Sequence, residues 1–148
     1  MSEPLPERCD FDPADLVLQI DVKLSADVNE ITPVVTHVME MAIQAGCAKG
    51  KEFEVETALR EALANAVKHG CGHDATKEVR CQVVCDMERG MLIIVSDPGE
   101  GFDPSTIPSP LQGQNLYRDH GRGIYLIDRL MDEVRYERGG TEIHMLKK

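Results

Sequence analysis

The chain has no tryptophan and only three Tyr and three Phe, so aromatic residues make up 4% of it. That leaves little material for the stacked aromatic platforms that bind single-stranded nucleic acid. Positive charge is also scarce, with 16 Lys and Arg against 26 Asp and Glu and a formal charge of -10. Both duplex nucleic acid and anionic lipid are bound by neutralising phosphate, so neither is an expected partner. Long apolar runs are missing as well. The longest is Met91–Val95, against the ~20 residues a membrane-spanning helix needs. The first dozen residues contain one basic side chain, Arg8, and the prolines Pro4 and Pro6. They match neither a secretory signal nor a transit peptide, and the expected location is the cytoplasm. Five cysteines at irregular spacing (Cys9, Cys47, Cys71, Cys81, Cys85) suit a reducing compartment better than a disulfide framework.

What is present is enough for one domain: 148 residues, 42% of them apolar. Residues 1–15 hold Pro4, Pro6 and Pro13 and no apolar period, and are expected to be a flexible leader. Between Leu16 and Leu24 apolar and polar residues alternate, the period of a half-buried strand. Steps of three and four from Ile31 to Ala45, closed by Gly46, predict a helix. A second helical stripe runs through Val55, Ala58, Leu59, Ala62, Leu63, Ala66 and Val67 and stops at Gly70. Val79–Cys85 and Leu92–Val95 alternate around Glu88-Arg89-Gly90, a hairpin, and place Cys81 and Cys85 on a buried face as small core residues. Residues 103–120 have three prolines and no period, the composition of a functional loop. A short helix over 124–131 and two last strands about Gly139-Gly140 complete the chain. The order β-α-α-β-β-loop-α-β-β predicts an α/β (α+β) two-layer sandwich, with a mixed, mostly antiparallel sheet and helices on one face.

Three polar elements interrupt this apolar pattern. On a helical wheel Glu54, Thr57, Glu61, Asn65 and Lys68 share a stripe opposite Leu59 and Leu63. A solvated helix face has that appearance. Yet mid-helix Asn costs propensity, and the stripe offers a base, a neutral oxygen ligand and a cation within two turns. Asp97-Pro98-Gly99-Glu100-Gly101-Phe102 follows a strand directly. It is either an ordinary turn or an acceptor for an exocyclic amine beside glycines that let a ligand approach the backbone. Gly121-Arg122-Gly123 before a helix offers backbone N–H groups suited to a phosphate. Arg122 reads equally as a cation near a γ-phosphate or as a solvated side chain. His69, Cys71 and His73 supply only three potential ligands, at a spacing unlike common structural zinc sites.

Taken in order, Glu61-Ala-Leu-Ala-Asn65-Ala-Val-Lys-His69-Gly70, Asp97-x-Gly99-x-Gly101-Phe102 and Gly121-x-Gly123 resemble the N, G1 and G2 boxes of the GHKL ATPase and kinase superfamily. With Gly123–Val134 and Gly140-Thr141, the resemblance is strongest to the anti-sigma-factor serine/threonine kinases and covers about Leu16 to Lys148. It implies a single GHKL ATP-binding domain over 16–148, with an ATP lid at about 98–122, using ATP and Mg2+. Asn65 would hold Mg2+ on the ATP phosphates, and Glu61 would be the catalytic base. Asp97 would accept from the adenine amine, with Thr141 supporting the base through water. Gly99 and Gly101 would hinge the lid beside Phe102. Gly121, Arg122 and Gly123 would wrap the phosphates, and Lys68 and His69 belong to the N box. The implied partners are a sigma factor and a small anti-anti-sigma antagonist phosphorylated on serine, and a homodimer is implied too. The competing expectations are a non-catalytic ATP-gated interaction module and a serine kinase with targets outside transcription.

Overall fold

The computed structural model describes residues 11–99 and 119–148, with side chains from Gly123 onward in the second stretch. Its elements are β1 (Leu18–Ser25), α1 (Ile31–Ala45), α2 (Glu52–Asn65), β2 (Glu78–Asp86), β3 (Gly90–Ser96), α3 (Asp119–Leu130), β4 (Glu133–Glu137) and β5 (Glu142–Lys147). The strands form one sheet in the order β1-β2-β3-β5-β4. Every pairing among the described residues is antiparallel, so the expected mixed sheet is corrected to an antiparallel one. The helices fill the main core on one face of this sheet, as the element order implied.

Period decides which side of each element is covered. In α1, Val35, Val38, Met39 and Ala42 are buried, and in α2, Val55, Ala58, Leu59, Ala62 and Leu63 are. They meet Leu18, Ile20, Cys81, Val83, Ile93, Val95 and Met145 from the sheet in a single core. Leu59 and Leu63 have no exposed surface, and burying each contributes about 2 kcal/mol to holding α2 in place. That anchorage matters because α2 carries Glu61 and Asn65. The second helix was expected to run unbroken to Gly70. Instead its α-helical part ends at Asn65 and a π-helical turn, Ala66–Gly70, continues it. Cys71 N–H donates to Ala66 O at 2.9 Å, the five-residue reach of that turn.

Two expectations about the outer parts of the chain are corrected. Phe11 is buried with Val84, Leu92, Ile94 and Leu146 on the sheet face opposite the helices. Ordered packing thus begins before Leu16, because one aromatic anchor leaves no period to read. The cysteines are not all free thiols. Cys47, in the α1–α2 connection, and Cys85, on β2, form a disulfide across a Cα–Cα distance of 6.7 Å. Cys71 and Cys81 are free and buried. The periodicity correctly buries Cys85, but only the return of α1 over the sheet brings Cys47 to it.

No helix among the described residues is long and apolar enough to cross a membrane.

Candidate nucleotide site

A pocket open to solvent lies between α2, α3 and the β3–β5 end of the sheet. Ala62 and Ala66 from α2, Ile124 and Ile127 from α3, and Val95 and Ile143 from the sheet make it apolar. Asn65, His69, Asp97, Tyr136 and Thr141 supply its polar groups, with Gly70 and Gly140 between them. A mostly apolar cleft with a few converging polar groups is the usual form of a small-molecule site.

Asp97 enters the pocket from the end of β3. Its N–H donates to Thr141 O at 2.9 Å, which ties β3 to the turn before β5. Its Oδ1 accepts from Gly99 N–H at 2.8 Å. Burial pushes the carboxyl above its usual range, and the Gly99 N–H opposes that shift. The outcome is a half-buried acceptor with lone pairs left for a ligand. Gly70 makes this placement possible, since a Cβ there would fall inside the Asp97 carboxyl group. Gly99 in turn packs against the Gly70 carbonyl too closely for a side chain. In the sequence Gly70 marks a helix end and closes the stretch that resembles the N box, with no role of its own. Its signal in the sequence was a glycine at a helix end with no further sign of what lay across from it.

Asn65 lines the other side of the pocket, and Glu61 stands one helical turn before it on α2. Neither lies on a solvated face: both are half-buried, because α3 crosses α2 above them. A Cβ on Gly123 would sit 3.0 Å from Glu61 Oε2 and from Asn65 Nδ2. The expectation that Gly121-Arg122-Gly123 precedes a helix is corrected, since α3 already starts at Asp119. Gly121 lies in its first turn, where N–H groups lack intrahelical partners, while Gly123 serves by close approach. Thr141 lines the pocket, and its hydroxyl donates to Arg138 O at 3.0 Å. Lys68 is exposed and is not part of the pocket lining, whereas its neighbour His69 is. Gly101, Phe102 and most of the expected lid lie outside the described residues, as does the side chain of Arg122.

Among the described residues no group of three His, Cys, Asp or Glu is arranged to hold a metal. Burial, and after it the nearby Asp97 charge, pushes the Cys71 thiol up, while His69 and His73 are exposed. The fit to Mg2+ is therefore to a single neutral oxygen ligand, the Asn65 amide, beneath the space that Gly123 leaves clear. That suits an ion whose remaining ligands are phosphates and water.

Residues 24–147 match the family model of the histidine kinase-like ATPase domain. The chain belongs to that family. It is similar to the serine-protein kinase RsbW of Staphylococcus epidermidis, with 29% identity over 137 residues covering 86% of this chain and 85% of the relative. The serine-protein kinase RsbW of Staphylococcus aureus (strain JH9) is 27% identical over 135 residues, with 86% and 85% covered. In this histidine kinase-like ATPase domain, Asn65, Asp97 and Thr141 line one pocket, and Glu61 and Gly123 pack beside Asn65 at its edge.

Proposed function

We propose that this protein is an ATP-dependent protein-serine kinase of the anti-sigma-factor type, which binds a sigma factor and phosphorylates a small antagonist protein on serine. The observation that carries the nucleotide part is the pairing, in one largely apolar pocket, of a half-buried carboxyl group at Asp97 with Asn65, which has Glu61 one turn away on α2 and Gly123 packed over both. Asp97 accepts from the exocyclic amine of adenine, and the apolar walls exclude water from the base. A guanine presents a carbonyl at that position, which would leave two acceptors facing each other.

The phosphates extend from the base towards Glu61 and Asn65. Asn65 Oδ1 would hold Mg2+ there together with the phosphates, and the ion would supply neutralisation of charge on the transferring group. The substrate serine Oγ forms a bond to the γ-phosphorus as the bridging P–O bond breaks and ADP leaves with that electron pair. Glu61 accepts or orients the hydroxyl proton. Both the serine-kinase names of its relatives and the two carboxylates in separate roles support this reading. The sigma factor, the antagonist and a homodimeric state are carried over from the anti-sigma-factor kinases that the motifs resemble.

The test is labelled ATP with candidate antagonist proteins encoded beside the gene. Label on an antagonist serine is expected, with a loss of ~100-fold or more in rate for Glu61→Gln while ATP binding persists. ATP-dependent partner binding without label across the panel would instead favour a non-catalytic interaction module.

A further inference from the structure

A second cleft opens at the other end of the sheet, where the α1–α2 connection meets the β2–β3 turn and the end of β5. Four of the chain's seven lysines line it: Lys49, Lys51, Lys147 and Lys148. Asp86 is the one acid among the lining residues, and its carboxylate already accepts from the N–H groups of Glu88 and Arg89. Lys147 is engaged as well, donating to Leu130 O at 2.6 Å beside Asp132. Lys49, Lys51 and Lys148 make no side-chain ion pair among the described residues. In a chain with 26 acidic side chains, three such lysines on one cleft concentrate positive potential that the chain itself does not neutralise.

The same region carries exposed apolar surface. Met87 lines the cleft and is 68% exposed. Phe53, just after Lys51 on the first turn of α2, is 72% exposed, and Ile43, shortly before Gly46 of the cleft wall, is exposed too. These are three of the five large hydrophobic residues left exposed among the described residues. Scattered singly they would need no explanation, but gathered beside one cleft they mark an interaction surface. Met and Phe are side chains that protein–protein interfaces favour. The Cys47–Cys85 disulfide joins the two walls, so the cleft is formed before anything binds.

We propose that this cleft is a docking site for an acidic segment of a partner protein, whose carboxylates meet Lys49, Lys51 and Lys148 while an apolar side chain between them packs on Met87 and Phe53. A small anion such as phosphate would leave the apolar residues uncovered, and nucleic acid is repelled by the charge of the chain as a whole. Met91 at the cleft and Asp97 at the nucleotide pocket are separated along β3 by about 20 Å, at ~3.3 Å per residue. Partner and nucleotide therefore occupy separate sites, and docking here does not depend on the nucleotide reading above.

The probe is a set of short labelled peptides that combine Glu with Leu in different orders, titrated by fluorescence anisotropy with and without saturating Mg-ATP. Matched peptides with Ser in place of Leu, or Lys in place of Glu, are the controls. At least one Glu–Leu peptide should bind wild type about tenfold more tightly than either of its controls, and more weakly as salt rises. Lys49→Gln with Lys51→Gln should weaken it about fivefold, Lys49→Glu with Lys51→Glu further, and Met87→Ser about fivefold. These side chains lie outside the apolar core, so unfolding midpoints should stay at the wild-type value. Mg-ATP should leave the peptide affinity unchanged. Absence of binding by every Glu–Leu peptide, or equal binding by wild type and the lysine variants, would overturn the proposal. Equal binding of the Glu–Ser peptides would do so too, marking a small-anion site, as would displacement by Mg-ATP, marking the nucleotide pocket.

Discussion

Gly123 of α3 stands directly over Glu61 and Asn65 of α2, close enough that a Cβ would be 3.0 Å from an oxygen of one and the amide nitrogen of the other. Two helices thus share one contact point, at the place the proposed function assigns to the nucleotide phosphates. A glycine within a helix costs about 1 kcal/mol relative to alanine. Here the missing side chain keeps two functional groups in place.

Gly123→Ala should therefore separate folding from binding. Helix propensity favours the alanine, so thermal unfolding should hold steady or rise. The added methyl displaces the Glu61 and Asn65 side chains, and Mg-dependent ATP affinity should fall about tenfold, or 1.4 kcal/mol. Unfolding scans and calorimetry on the same preparation check both halves. ATP affinity equal to wild type would contradict the crowding described here.

Asp97 predicts a pH effect of definite sign. Burial holds its folded-state pKa above the ordinary carboxylate value near 4. On folding stability, Asp97 therefore makes a contribution that is full below its unfolded pKa and lost as pH rises through the folded one. On binding, the ionised acceptor is lost as pH falls through the raised value. Nucleotide affinity should decline on acidification with an inflection above pH 4, beyond the titration of ATP itself. Asp97→Asn should flatten that limb, which titrations of both proteins across pH 4–7 would reveal.

The Cys47–Cys85 disulfide spans 38 residues and ties the α1–α2 connection to β2. Closing a loop of that length stabilises a fold by about 2–4 kcal/mol, or roughly 5–15 °C in unfolding midpoint for a chain of this size. Non-reduced protein should resist alkylation at Cys47 and Cys85, and reduction or Cys47→Ser should lower the midpoint by that amount. Identical unfolding with and without reductant would contradict a stabilising bond.

Much of this architecture was legible in the residues, and where it was not the cause is physical. Ile31 to Ala45 gave a helix with the observed ends because strong apolar periodicity and Gly46 agree. The β2–β3 hairpin followed from alternation around Glu88-Arg89-Gly90. Gly121 and Gly123 were assigned outside α3 because glycines punctuate helices in sequence, whereas here close packing on Asn65 keeps one inside. Cys47 meets Cys85, and Gly70 meets Asp97, only when separate elements pack together. Such contacts have no local pattern. Tyr136 escaped notice for the same reason: its strand is short and half-buried throughout, and its place in the pocket comes from register with Ile143.

The nucleotide site is tested most directly by calorimetric titration of the purified protein with ATP and with GTP, with and without Mg2+, in wild type and in Asn65→Ala. Asn65 is not part of the apolar core, so its truncation should leave the fold intact. Wild type should bind ATP at least about tenfold more tightly than GTP, with a Mg-dependent component that Asn65→Ala abolishes. Equal binding of the two nucleotides, or an Mg-dependent ATP affinity untouched by Asn65→Ala, would contradict the assignment of this pocket.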